Sequence, residues 1–428
     1  MRERWPLHWR ILVGLVVGIV AGSVANALAG GTAGLTWLVD GVIEPFGRIF
    51  LRLIFMVVLP LIMSALVLGV AGLGDIGRLG RIGAKTLAYT VFATGLSVAL
   101  GLALVNVVQP GAGLSEETRA ALSATAARSP VVTPADAPVG LQAVVAIIPD
   151  NPLRAAVNGD MLAVMFFSLM MGLGLALAPR ETVAPFVAVL EGLYAIVMEV
   201  IELAMRLAPY GVAALLFTLT ARLGAGVLRQ LASYVLVVLA GLAIHQFVTY
   251  ALIVRFMARI SPWLFFQRIR TVMLTAFSTS SSNATLPLSL TVTERSLGVP
   301  REIATFVLTL GSTANQNGTA LFEGVTVLFL AQFYGVELSL SSQLVVVLMS
   351  ILAGVGTAGV PGGSLPLIVP VLVTVGVPAE GIGIILGVDR LLDMCRTVLN
   401  VSGDITAAVV VARSEGVLEV PLVVPEEA

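Results

Sequence analysis

The chain has 428 residues, of which 58% are hydrophobic and 11% charged, with a formal net charge of −1. Soluble globular domains carry about 25% charged residues, so a soluble enzyme is excluded, and the near-zero charge gives no argument for nucleic-acid binding. One cysteine, Cys395, excludes a disulfide framework or cysteine-based zinc site, and two histidines, His8 and His245, leave little for histidine-based metal catalysis.

What remains is an all-α polytopic membrane protein. A membrane-crossing helix needs about 20 largely apolar residues. In chain order such runs fall at 11–30, 47–72, 86–108, 159–178, 184–220 and 226–256. The first run has no small-residue cleavage site leading into a soluble domain, so it reads as a span rather than a signal peptide. Basic residues mark the cytoplasmic side. Arg2, Arg4 and Arg10 precede the first span, Arg78, Arg81 and Lys85 separate the second and third, and Arg255, Arg259, Arg268 and Arg270 follow the sixth. All three clusters agree on a cytoplasmic N-terminus, which places 109–158, rich in Ala, Pro, Ser and Thr, outside as a mobile loop.

Beyond residue 258 two apolar segments, 262–295 and 340–376, are broken by polar or Gly-rich centres. The first centre is Ser278 to Thr285, the second Gly354 to Ser364, and each runs into Leu-Pro-Leu. Each is followed by a long apolar helix with polar residues in its middle. Non-helical backbone at membrane depth is tolerated only where protein buries it or a cavity adjoins it. Paired Gly/Pro-interrupted segments therefore point to a transporter's binding site; two kinked ordinary helices are the alternative.

The last helix carries the densest chemistry. Asp389, Asp393, Arg396, Asn400 and Asp404 stand at i, i+4, i+7, i+11 and i+15, one face at 3.6 residues per turn. Each charge at mid-membrane costs roughly 2.5–3.5 kcal/mol, so the row must face the interior. Arg396 can pair with Asp393 or grip a substrate carboxylate bidentately. Asp393 suits a substrate ammonium and Asp404 a small cation. A purely structural ion-pair row is the alternative. In the helix before it, Gly311-Ser312-Thr313-Ala314-Asn315-Gln316-Asn317-Gly318-Thr319 can open the backbone and free carbonyls for cations, although small residues also suit helix contacts. Glu323, a lone acid in an apolar run, can carry a proton or stay passive.

The Ser-rich stretch 278–282, the Asn-x-x-Gly-Thr of 315–319, the Gly-Thr-Ala-Gly-Val-Pro-Gly of 356–362 and the last helix together resemble the dicarboxylate/amino acid:cation symporter family, which includes glutamate transporters and archaeal aspartate transporter homologues. The resemblance spans nearly the whole chain. It implies eight membrane spans plus two re-entrant hairpins, inverted repeats, and a homotrimer working as an elevator. A scaffold of 1–72 and 159–222 would stay fixed beside a transport unit of 73–108, 223–258 and 259–413, with 109–158 as extracellular loop and 414–428 as cytoplasmic tail.

Residue by residue, the resemblance puts Arg396 on the substrate's side-chain carboxylate and Asp393 on its amino group. Thr319, Thr397 and Asn400 become further substrate partners. Ser281 and Ser282 come from the first hairpin, and Val360 and Gly362 from the closing tip of the second. One sodium ion would use Gly311, Asn315, Asn400 and Asp404; a second would use backbone near Thr313, Gly354, Val355 and Thr357. The third site is degraded: Asn317 stands where the family has an aspartate, and Thr90 and Ala93 depart as well, while Thr94 keeps a hydroxyl. Gln316, Ser364, Ser280 and Met394 are further departures, and the last two leave the family's alternative arginine missing; Arg390 is a candidate to compensate. Glu323 matches the proton-carrying acid of animal glutamate transporters.

The expectation is a symporter for aspartate or glutamate driven by sodium, protons or both, in a bacterial inner membrane, with both termini cytoplasmic. It would need no cofactor beyond its coupling ions, and its partners would be the acidic substrate and membrane lipid, with no nucleic acid. A C4-dicarboxylate:cation symporter is the alternative, and an anion channel the alternative of another class. An intramembrane serine hydrolase built on Ser280–Ser282 lacks a nearby base.

Overall fold

The computed structural model describes residues 7–71, 76–114, 147–224, 226–356 and 364–420. Every regular element among them is a helix. Helix α1 (Leu7–Ala29) is followed by α2 (Ala33–Leu38), a π-turn at Val39–Ile43, α3 (Glu44–Phe55), α4 (Val58–Ala71) and α5 (Ile76–Val108). The run 47–72, read from hydropathy as one span, is broken at Met56-Val57. Pro60 supplies the reason: without an N–H it cannot donate to the carbonyl of Met56, and Leu61 resumes the pattern by donating to Val57.

The segment expected as a loop ends in a short helix, α6 (Pro152–Asn158), with 115–146 outside the described residues. Asn151 caps it by accepting from Leu153 and Arg154, Pro152 sits at the first position, and Gly159 closes it at φ 75°. Then come α7 (Met161–Leu177), the long α8 (Arg180–Leu223), and α9 (Val227–Ile244), which π-turns extend through α10 (Tyr250–Ile253) to Ala258. The C-terminal part holds α11 (Pro262–Thr279), α12 (Ser282–Arg295), α13 (Arg301–Ala314), α14 (Asn317–Tyr334), α15 (Leu340–Gly356), α16 (Leu365–Thr374) and α17 (Ile382–Ser414).

Among the described residues four stretches, Trp9–Ala29, Ala33–Ala71, Gly80–Val108 and Val227–Ala258, are long and apolar enough to cross a membrane. The protein is an integral membrane protein. Two sets of helices emerge from the packing. In one, α8 contacts α1, α3 and α4, and α4 contacts α7. The α1–α8 seam rests on small residues: a Cβ added at Gly14 or Gly18 would stand 2.2 or 2.4 Å from the carbonyl oxygen of Pro209 or Ala213. In the other, α14 and α17 form the centre, with α5, α9, α11, α12, α13 and α15 around them. The side chains of α14 are buried without interruption from Asn317 to Ala331. The sets meet where α8 touches α17, α4 touches α15 and α7 touches α16.

The two interrupted segments take their places in the second set. Helices α11 and α12 pack on each other through a two-residue joint. Ser280 there adopts a left-handed backbone at φ 51°, and Ser281 caps α12 by accepting from the Ala284 amide. Helices α15 and α16 flank the second centre, of which 357–363 lie outside the described residues.

Candidate functional site

The charged face of α17 turns inward, and Asp389, Asp393, Arg396, Asn400 and Asp404 are all buried. Arg396, 0% exposed, is the focus. Its Nη2 donates to Asp393 Oδ1 at 2.9 Å, and its Nη1 lies 3.0 Å from Asp389 Oδ1 without hydrogen-bond alignment. Its Cζ stands 4.0 Å over the Phe322 ring of α14, so the apolar side of the guanidinium is covered by an aromatic face. Nε and Nη1 have no hydrogen-bond acceptor among the described residues. A buried cation with unused donors, aligned by two acids and an aromatic ring, is prepared to take another carboxylate.

One turn further on, Asn400 holds open the gap between α13 and α14. Its Oδ1 accepts from the amides of Gly318 and Thr319 at 2.7 and 3.4 Å, which caps the start of α14. Its Nδ2 donates to Gln316 Oε1 and, at 3.1 Å, to Thr319 Oγ1. The helix opens where the Gly/Asn-rich sequence predicts, and a side chain from another helix satisfies the freed amides. Thr397 is buried too, its hydroxyl donating to the Asp393 carbonyl at 2.8 Å.

Deeper along α17, Asp404 Oδ1 accepts from Asn315 Nδ2 at 2.9 Å, while Asn315 Oδ1 has no partner among the described residues. Gly311 makes this approach possible, since a Cβ there would stand 2.4 Å from Asp404 Oδ1. Asn315, Gly311 and Asp404 thus converge as oxygen-bearing groups suited to a hard cation. Thr313 has its side chain exposed and spends its hydroxyl on Leu310 O at 3.0 Å. Gly354 sits near the Gln316 carbonyl, and the carbonyl of Val355 lies against Gly69 of α4. Thr357, Val360 and Gly362 fall outside the described residues.

Asn317 has a different character. Its Oδ1 accepts from Thr94 Oγ1 at 2.6 Å, its Nδ2 donates to Tyr250 OH at 2.8 Å, and its carbonyl accepts from Ser97 at 2.8 Å. Tyr250 in turn donates to Leu399 O and stacks edge-on against His245. Both sides of the amide are used. Glu323, on α14 one turn after Thr319, is fully buried with neither oxygen hydrogen-bonded among the described residues. Ser281 and Ser282 are buried at the α11–α12 joint, and α12 packs on α17. A cavity of about 500 Å³ adjoins the charged face, lined by Asp389, Arg390, Asp393 and Leu365 on one side and by α1 and α8 on the other.

Sequence reasoning gave no role to Phe322 or Tyr250, and placed Asp389 on the face without a function. Phe322 lies three residues after Thr319 on the helix already singled out, which is a usable signal; nothing local to Tyr250 gives it away.

A family model described as the sodium:dicarboxylate symporter family matches residues 7–414. The chain belongs to that family. Relatives of this symporter include a proton/glutamate-aspartate symporter of Escherichia coli strain K12, 36% identical over 380 residues, 89% of this chain and 86% of the relative. A proton/sodium-glutamate symport protein of Bacillus subtilis strain 168 is 36% identical over 376 residues, 87% of this chain and 86% of the relative. A C4-dicarboxylate transport protein of Azorhizobium caulinodans is 33% identical over 381 residues, 88% of this chain and 83% of the relative. The symporter's family membership explains why its charges are gathered on one buried face: a coupled carrier must bind ions and substrate together at membrane depth.

Proposed function

We propose that this symporter takes up an acidic amino acid, aspartate or glutamate, coupled to sodium, protons or both. The observation that carries the reading is the buried Arg396, ion-paired with Asp389 and Asp393 yet with no hydrogen-bond acceptor for Nε or Nη1 among the described residues. A substrate side-chain carboxylate takes the free guanidinium edge, and its ammonium takes Asp393. Thr319 of α14 and Thr397 and Asn400 of α17 complete the grip, with Ser281 and Ser282 from the α11–α12 joint. Two of the relatives above are named for glutamate, which supports the same reading.

Asp404, Asn315, Gly311 and Asn400 are proposed to carry one sodium ion, and backbone near Thr313, Gly354, Val355 and Thr357 a second. The closed bonding of Asn317 with Thr94 and Tyr250 supports loss of the third site. Glu323 is the proposed proton carrier where protons drive uptake.

In the same reading the chain forms eight spans and two re-entrant hairpins, α11–α12 and α15–α16, in a bacterial inner membrane with both termini cytoplasmic, and assembles as a homotrimer. The transport unit moves past the scaffold as an elevator. The packing supports this to the extent that α17 lies directly on the scaffold pair it would slide past, Gly387 facing Leu15 of α1 and Leu216 of α8.

Uptake of labelled aspartate into proteoliposomes, with sodium and proton gradients imposed separately, tests the reading. Concentrative uptake under either gradient is expected; uptake that merely equilibrates under both refutes coupling and favours a channel.

A further inference from the structure

The corner where α10 gives way to α11 carries positive charge that no described residue answers. Residues 203–293 contain no acidic side chain. Within them Arg255 and Arg259 stand at the end of the helix that stops at Ala258, and Arg270 follows on α11; all three are exposed. None of the three has a hydrogen-bond or ion-pair partner among the described residues. Arg413 of α17 reaches the same corner, its Nε donating to the Ala258 carbonyl at 2.8 Å. Glu415, the acid that follows it, is already taken by Arg81 and Lys85.

The setting of Arg270 indicates what these groups face. On α11, Trp263, Arg270, Leu274 and Phe277 stand at i, i+7, i+11 and i+14, which is one helical face, and all four are exposed. Arg270 is the one polar member of that set. Beside it Phe247 is exposed as well, its ring 5.5 Å from that of Phe266 on α11. In an integral membrane protein an exposed apolar face meets lipid tails, where an unpaired charge is costly. Arg270 lies about 10 Å along α11 from Trp263, and a long side chain avoids the cost by reaching toward the membrane surface. Tryptophan settles at headgroup level, so the Trp263 end marks that surface, and Arg255 and Arg259 stand there too. Guanidinium groups bind phosphate oxygens bidentately. We propose that this corner binds the headgroup of an anionic phospholipid, with Arg255, Arg259 and Arg270 on its phosphate. The site is separate from the substrate grip on α17 and does not depend on which substrate or ion the symporter carries.

The test reads lipid contact at Trp263, which is 80% exposed. The other tryptophans, Trp5, Trp9 and Trp37, are replaced by Phe, and the full chain is reconstituted with acyl-brominated phosphatidylglycerol or phosphatidylcholine as quencher of Trp263 fluorescence. Phosphatidylglycerol is expected to quench more strongly at equal mole fraction. R270Q should lower that preference about fivefold, and R255Q, R259Q and R270Q together should abolish it. A protein that keeps Trp37 alone is the control, because Arg48 and Arg222 near that end of α3 and α8 are paired with Asp40 and Glu44; no preference is expected there. Equal quenching of Trp263 by the two lipids, or a preference that the triple variant keeps, overturns the proposal. The same preference at Trp37 overturns it in favour of a diffuse surface potential. Loss of the preference on adding inorganic phosphate at constant ionic strength assigns the corner to a free anion and overturns the lipid assignment.

Discussion

Two buried polar clusters lie within one short stretch of α14 and its neighbours, and they differ in one respect. Around Arg396 the bonding is unfinished: two guanidinium nitrogens and Asp389 Oδ1 have no hydrogen-bond partner among the described residues. At Asn317 the side chain is used on both sides, with Thr94 on its amide oxygen and Tyr250 on its amide nitrogen, and Ser97 takes its carbonyl. Burying an unsatisfied polar group costs roughly 1–3 kcal/mol, so unfinished bonding persists where a ligand finishes it. The first cluster fits the binding site proposed above, and the second fits a polar contact that holds α14 to α5 and α10.

The comparison can be broken or sharpened by substitution. Arg396→Ala removes the ion-pair partner of the buried Asp389 and the nearer guanidinium of Asp393, a loss of roughly 3–5 kcal/mol, and aspartate uptake should vanish while an Arg396→Lys protein folds and transports weakly. Asp404→Asn removes the one acid of the Asn315–Gly311 cluster. A unit charge at about 4 Å and an effective dielectric of about 20 is worth roughly 4 kcal/mol, so the sodium concentration for half-maximal uptake should rise by orders of magnitude. An unchanged value would take sodium away from Asp404. Asn317→Asp does the reverse: it puts a charge where the amide now donates to Tyr250. The variant should lose roughly 1–3 kcal/mol of stability in choline chloride and recover it in sodium chloride, read as Tm; no sodium effect would show that charge alone does not rebuild a cation site.

The smallest effect is expected away from both clusters. Glu415 follows the C-terminus of α17, where the helix dipole disfavours an acid. Lys85 and Arg81, both hydrogen-bonded to it, hold its carboxyl below the usual carboxylate value. A depressed folded-state value means that the contribution is present above the unfolded carboxyl range and is lost as pH falls through the folded value. Lys85→Met should therefore lower Tm slightly at neutral pH, and the difference from wild type should close in acid.

Much of this was legible in the sequence, for identifiable reasons. The face of α17 could be read because helical periodicity alone aligns Asp389, Asp393, Arg396, Asn400 and Asp404. The opening before α14 could be read because Gly311, Asn315 and Gly318 weaken a helix locally. The break at Met56-Val57 was missed because hydropathy is blind to Pro60, although proline chemistry marks it. Tyr250 was missed because its partners, Asn317 and Leu399, are 67 and 149 positions away, and only tertiary packing brings them together. The pairing of Arg390 with Asp393 is local, yet spacing alone does not show that Arg396 claims the opposite oxygen.

Equilibrium titration of the purified protein with aspartate, in sodium and in choline buffer with alanine as the neutral control, tests the central claim most directly. The account predicts saturable aspartate binding and none of alanine, because the unused donors of Arg396 need a side-chain carboxylate. Alanine binding as tightly as aspartate, or no binding of aspartate in either buffer, would contradict it.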